Sequence, residues 1–211
     1  MKILVVGGGG REHAIVKKLS ESKKNPKIYV APGNAGTEEI ATNIAISVTD
    51  FDSLVDFAKN EKIDLTVIGM DDPLVGGIVD RFEKNGLRVF GPRKNAAILE
   101  GSKAFSKELM KKYGIPTADY ENFNDPQKAL KYLKGADYPI VLKADGLALG
   151  KGVLICKNFE EAKTGIEELM IDKSFGDAGN TVVIEEFLEG REVSVLSFVD
   201  GTHYALMTSA Q

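Results

Sequence analysis

Short apolar runs alternate with amphipathic stretches through residues 1–90, and each run ends on glycine, proline or a small polar residue. Ile3-Leu4-Val5-Val6 reads as a buried strand that stops at Gly7-Gly8-Gly9-Gly10. Residues 11–19 place Ala14, Ile15, Lys18 and Leu19 at helical spacing, which predicts a helix. Strands follow at residues 27–30, 44–48, 65–68 and 87–90. Between them, residues 51–60 predict a helix capped near Thr49 or Asp50, and Pro73 opens another that runs to Lys84. In this reading Asp72 is the cap of that last helix. Strand–helix alternation of this kind predicts a parallel sheet wrapped by helices.

The pattern changes after Gly91-Pro92. Ser102 caps a predicted helix whose apolar face is Phe105, Leu109 and Met110, and Gly114-Ile115-Pro116 stops it. Helices near residues 125–133 and 159–170 flank a predicted hairpin of residues 138–143 and 153–156. Two more strands are predicted at residues 181–185 and 192–198. The fold class is α/β: an N-terminal Rossmann-like parallel-sheet domain, then a smaller α+β part.

At 211 residues the chain has room for one large or two small domains. Its 43% hydrophobic and 27% charged residues are ordinary for a globular protein, and a net charge of −4 argues against a general nucleic-acid surface. Cys156 is the only cysteine and lies in an apolar run, so it reads as a small core residue in a reducing compartment. His13 and His203 lack ligand-like spacing, so no zinc site is expected. The N-terminal apolar run is too short for a signal peptide or a membrane span, so the chain is expected to be cytoplasmic.

The densest candidate chemistry lies in residues 143–152, where Lys143 precedes a loop with Gly146, Gly150 and Gly152, and Lys151 sits inside it. Clustered glycines let backbone N–H groups turn onto an anion, and the lysines add positive charge, which points to a polyphosphate ligand. The loop is not a Walker A sequence, and a strand follows it where a P-loop has a helix. A solvated surface hairpin is the competing reading. Lys103 in a first helical turn is disfavoured by the helix dipole unless an anion joins it.

The glycine turn of residues 7–10 fails the dinucleotide fingerprint, because Glu12 or His13 occupies the third glycine position. The second strand also ends Val30-Ala31-Pro32-Gly33, without the acid that would hold a ribose diol. Nicotinamide-dinucleotide chemistry is disfavoured on both counts. Loops at the strand ends still gather Gly10, Arg11, Glu12 and Asp71, a mix that suits a sugar phosphate.

Taken together, the chain resembles the phosphoribosylamine–glycine ligase (glycinamide ribonucleotide synthetase) family of the ATP-grasp superfamily. The resemblance rests on VGGGGREHA at residues 6–14, APGNAGT at 31–37, FGP at 90–92 and LEGSKAF at 99–105. It continues through KADGLALGKGV at 143–153, FGDAG at 175–179 and IEEFL at 184–188. It implies a pre-ATP-grasp substrate domain over residues 1–101 and an incomplete ATP-grasp domain over 102–211. The flap subdomain would occupy about residues 122–188, with the central domain beginning after it.

In that family ATP drives the joining of 5-phosphoribosylamine to glycine, through glycyl phosphate, in purine synthesis. The resemblance implies that Lys103 and Lys143 bind the ATP phosphates and serve catalysis, beneath a loop of Gly146, Gly150, Lys151 and Gly152. It implies that the Glu185 carboxylate and the backbone of Glu186 and Leu188 meet adenine, and that Glu192 holds the ribose. Gly10, Arg11, Glu12 and Asp71 would contribute to the phosphoribosylamine site, with no nucleic-acid or membrane partner. Asp71 stands where the family often carries a glutamate one methylene longer. The family's Glu and Asn ligands for Mg²⁺ are expected beyond residue 211, so no metal ligand is expected in this chain. It is expected to be an N-terminal half, inactive alone. A noncatalytic nucleotide or sugar-phosphate binding module, or another ATP-grasp ligase, are the alternatives.

Overall fold

The structure is a computed structural model, and it describes residues 1–147 and 152–211. The chain begins with β1 (Lys2–Gly7), α1 (Gly10–Ser20), β2 (Lys27–Pro32), α2 (Ala35–Glu38) and β3 (Thr42–Asn43). It continues with α3 (Phe51–Asn60), β4 (Leu65–Ile68), α4 (Asp71–Gly76), α5 (Ile78–Lys84) and β5 (Val89–Phe90). The five strands form one parallel sheet in the order β3-β2-β1-β4-β5. Because β1 is central and its neighbours lie on opposite sides, the crevice beyond the carboxyl ends of β1 and β4 is a natural ligand position. Leu4 and Val6 face one core with Leu54, Ile78 and Phe82, while Ile3 and Val5 face the other with Val16. That alternation is the period-two consequence of a strand covered on both faces.

Four expectations for this region are corrected. The strand predicted at residues 44–48 is instead the short β3, and its last ladder bond is Ile44 N–H to Val30 O at 2.8 Å. Ile44, Ile46 and Val48 pack on the core from an irregular segment, so their alternation reflects burial on one side without a pairing strand. The helix predicted to run through residue 84 breaks at Gly77, whose φ of 95° an L side chain adopts only with strain. Asp72 lies inside the first turn of α4, whose cap position is Met70. On α1 the inward residues are Glu12 and Val16, with Ile15 and Leu19 partly buried, while Ala14 and Lys18 are exposed.

Next come α6 (Lys94–Gly101), which the pattern did not announce, and α7 (Lys103–Tyr113), capped by Ser102, whose Oγ accepts Phe105 N–H. The predicted apolar face of α7 is corrected: Phe105 is 40% exposed, whereas Lys107 is buried. The following elements are β6 (Tyr120–Phe123), α8 (Pro126–Leu133), β7 (Ile140–Ala144), β8 (Val153–Cys156), α9 (Phe159–Ile166) and β9 (Val182–Glu186). Of these β6 was not expected from the pattern. All pairings are antiparallel, in the order β6-β9-β7-β8, with β7 and β8 forming the expected hairpin. One face of this sheet packs on α8 and α9 through Leu133, Leu142, Ile166, Leu169 and Ile184. Cys156 is buried in the same core, and desolvation pushes its thiol pKa up, so it is a packing residue.

The strand predicted at residues 192–198 is shorter: β10 (Ser197–Val199) pairs with β11 (Tyr204–Leu206) in an exposed hairpin. No helix among the described residues is long and apolar enough to cross a membrane. Leu142 is fully buried in the core of the second sheet. Leu142→Ala is expected to lower stability by about 2–5 kcal/mol in urea denaturation. An unchanged midpoint would contradict that packing.

Candidate functional site

The first-sheet side of the site is built around Glu12. Its Cγ fills the space above Gly7, where an added Cβ would lie 2.3 Å away, and its Oε1 reaches within 2.5 Å of a Cβ at Gly69. The carboxylate Oε2 accepts Gly9 N–H at 2.7 Å, so Glu12 closes the first turn of α1 and is buried. That packing explains why a glutamate occupies the position where a dinucleotide site has its third glycine. The Asn34 side chain, whose Nδ2 donates to Gly8 O at 3.0 Å, ties the loop after β2 to the same turn. Gly10 opens α1 with no heavy atom near its missing Cβ. Arg11, the cation at this helix start, finds Asp71 at 3.3 Å, and both groups are substantially exposed. Such a pair is held weakly against solvent and can exchange for a ligand.

The second-sheet side is built around Glu185 on β9. Its Oε2 lies 2.8 Å from Lys143 Nζ and 3.1 Å from Lys107 Nζ. The side chains of Glu185 and Lys107 are 5% and 8% exposed, whereas that of Lys143 is 29% exposed. Lys107 also donates to Thr117 Oγ1 at 2.8 Å and to Ala118 O at 3.1 Å, so protein groups hold it on two further sides. Lys143 faces the more open side and has Glu185 as its acceptor. Glu185 Oε1 is buried without a hydrogen-bond partner among the described residues. An acceptor held dry and unpaired costs free energy, which makes it a ready partner for a ligand N–H. The neighbouring Tyr120 phenol is pushed up in pKa, first by burial and then by its bond to Glu108.

A third group of contacts joins the two sides. Lys103 Nζ donates to Gly146 O at 2.7 Å, and Asp145 receives Ala104 N–H and Ser102 O–H at the start of α7. These contacts border a cavity of about 560 Å³ lined by Gly9, Arg11, Asp71, Glu100, Lys103 and Gly146, among others. Thus four expected residues from the first sheet (Gly10, Arg11, Glu12, Asp71) and two from the second half of the chain (Lys103, Gly146) open onto one space.

The remaining expected residues divide. Gly152 is buried, and its carbonyl accepts Ala144 N–H at 2.8 Å, closing the base of the β7–β8 hairpin. Glu186 N–H donates to Asp119 O at 3.0 Å and its Oε1 accepts Asp119 N–H, so that amide is not free for an adenine ring. Leu188 and Glu192 are exposed in an irregular segment after β9. Gly150 and Lys151 lie outside the described residues. Sequence reading missed Lys107, because a lysine four positions after Lys103 reads as solvated surface; the signal was its place on the helix face that meets Glu185. Glu100, also lining the cavity, was passed over for the same reason.

The chain matches the phosphoribosylglycinamide synthetase N domain over residues 1–100 and that synthetase's ATP-grasp (A) domain over residues 101–211. The chain belongs to the phosphoribosylglycinamide synthetase family. Within that family it is 53% identical over 210 residues to the phosphoribosylamine–glycine ligase of Caldanaerobacter subterraneus and 51% identical over 213 residues to that of Escherichia coli. Each alignment takes in 100% of this chain and 50% of the relative, so the chain spans about half the length of the curated relatives it matches. The solved phosphoribosylamine–glycine ligase of Thermotoga maritima superposes with a TM-score of 0.80 at 34% identity, covering 99% of this chain and 49% of that one.

Removing the shared carboxylate leaves the buried Lys107 ammonium without its counter-charge and beside the Lys143 ammonium. Glu185→Ala is therefore expected to cost about 3–5 kcal/mol, read by chemical denaturation. Lys143→Ala, which leaves Glu185 paired with Lys107, is expected to cost less. The reverse order would contradict the burial pattern of this cluster.

Proposed function

We propose that this chain carries the ATP-gripping surface and part of the phosphoribosylamine site of a ligase that joins 5-phosphoribosylamine to glycine. One observation carries the reading: loops from both sheets meet at a single cavity, with Arg11 and Asp71 on one side and Lys103 and Gly146 on the other. In this reading residues 1–101 form the substrate domain and residues 102–211 the ATP-grasp part. Lys103 and Lys143 bind the ATP phosphates, with the glycine-rich stretch 146–152 beside them. The orphaned Glu185 Oε1 takes an N–H of the adenine. Leu188 and Glu192 contact the rest of the nucleoside. Gly10 offers its backbone at the start of α1, and Arg11 exchanges Asp71 for the substrate phosphate. Asp71 is then free to accept from the ribose hydroxyls or the amine.

The chemistry follows from charge. A glycine carboxylate resists attack because it is an anion. Transfer of the γ-phosphoryl group breaks its bond to ADP and forms an acyl phosphate. The amine nitrogen of phosphoribosylamine then attacks the acyl carbon, a C–N bond forms, the C–O bond to phosphate breaks, and the nitrogen loses a proton. The chain's contribution is positioning and cationic stabilisation of the transferring phosphoryl group. Family membership suggests Mg²⁺ as the ion accompanying ATP. Among the described residues no group of three or more His, Cys, Asp or Glu side chains is arranged to hold a metal; Mg²⁺ that travels with ATP takes most of its contacts from phosphate and water, with one or two carboxylates. A lone buried cysteine and purine-synthetic chemistry suit a reducing, cytoplasmic setting.

Calorimetric titration of the 211-residue chain with ATP tests the reading. Saturable binding is expected, weakened about ten-fold or more by Lys143→Ala, since a charge-assisted contact contributes about 1.5–3 kcal/mol. GTP, which presents a carbonyl where adenine has its amino group, is expected to bind more weakly. Failure of the unaltered chain to bind ATP would sink the proposal.

A further inference from the structure

Asp145 has no part in the scheme above, yet its contacts are unusual for a loop residue. Its carboxylate sits at the N-terminal end of α7, 43 positions from Ser102 in sequence. Oδ1 accepts Ala104 N–H at 3.0 Å, and Ser102 Oγ donates to the carboxylate at 3.1 Å from each oxygen. The backbone of Asp145 is fixed separately, by its N–H to Thr181 O at 2.9 Å. The side chain is therefore not needed to hold the β7 end onto the second sheet. What it does is join two short pieces of chain, one carrying Lys143 two residues before it and the other carrying Lys103 one residue before Ala104.

A helix N-terminus favours an anion, through its free N–H groups and its dipole. In α7 that place is taken by the protein's own carboxylate, and the Lys103 ammonium is turned to Gly146 O at 2.7 Å. We infer that Asp145 is a positioning residue, whose carboxylate at the start of α7 registers Lys103 against Lys143 so that both reach one polyphosphate. The inference rests on the nucleotide reading above. It adds that the spacing of the two lysines depends on a group that never touches the ligand. With the carboxylate gone, α7 loses two acceptors at its first turn, and Lys103 is held by its own single bond to Gly146. The Thr181 bond and the β7–β9 ladder remain, so the second sheet is expected to keep its fold.

The test compares ATP, ADP and AMP binding by calorimetry for the unaltered chain, Asp145→Ala and Asp145→Asn, with circular dichroism to check folding. AMP presents the same base and sugar but lacks the phosphates that two lysines would share. Asp145→Ala is expected to weaken ATP about ten-fold and AMP less than about two-fold, the equivalent of one charge-assisted lysine–phosphate contact. Asp145→Asn keeps an acceptor for Ala104 N–H and is expected to recover part of the ATP affinity. Equal losses for ATP and AMP, or no loss for either, would overturn the positioning role alone. If the alanine variant does not fold, the same comparison on Asp145→Asn decides, with an ATP-selective loss supporting the role and a uniform or absent loss overturning it. An unaltered chain that binds no ATP overturns the nucleotide reading and this inference together.

Discussion

A carboxylate held almost dry between two ammonium groups is the constraint on which the second half of this chain depends. Glu185 projects from β9, Lys143 from β7 and Lys107 from α7, so one cluster fastens the sheet to the helix that precedes it. Burying these charges is costly, and the attraction among them offsets that cost only while every partner stays in place. The division of labour within the cluster follows from burial. Lys107 has two hydrogen-bond acceptors besides its ion pair with Glu185 and little exposure, so it serves Glu185; Lys143 is the more open of the two, so it can turn to a ligand without leaving the carboxylate uncompensated.

The first sheet sets up one side of the cavity that Lys103 and Gly146 border from the other. A central β1 with parallel neighbours on both flanks sends successive loops apart and opens a crevice at the strand ends. Glu12 fills part of that crevice from below, packed against Gly7 and Gly69, and so displaces the arrangement a dinucleotide pyrophosphate would need. What remains open is lined by the exposed Arg11–Asp71 pair, which suits a small charged substrate better than a long cofactor. The short linker at Ser102 then brings Lys103 to the rim of this crevice, which is why two separate sheets share one cavity.

Much of this was legible in the chain. Buried strands such as Ile3–Val6 and Leu65–Ile68, and capped helices such as residues 51–60, are governed by local periodicity and local hydrogen bonds, and they appear where expected. The errors came where a distant partner decides. Residues 44–48 alternate like a strand, but among the described residues the pairing with β2 ends at Ile44. The inward face of α7 was misjudged because hydrophobicity points to Phe105, while the buried residue is a lysine whose counter-charge lies 78 positions later. Asp145 looked like ordinary loop punctuation until the structure placed α7 beside it. Family-level likeness named Lys103, Lys143 and Glu185 together, yet only the packing distinguishes a residue that serves a ligand from one that serves another residue.

The most direct measurement is a crystal structure of this chain with a non-hydrolysable ATP analogue. The expected result is the adenine edge against Glu185 Oε1, the phosphates between Lys103 and Lys143, and Lys107 still bound to Glu185, Thr117 and Ala118. Phosphates seated over Gly9 and Arg11, or Lys107 withdrawn from Glu185 onto the nucleotide, would contradict it.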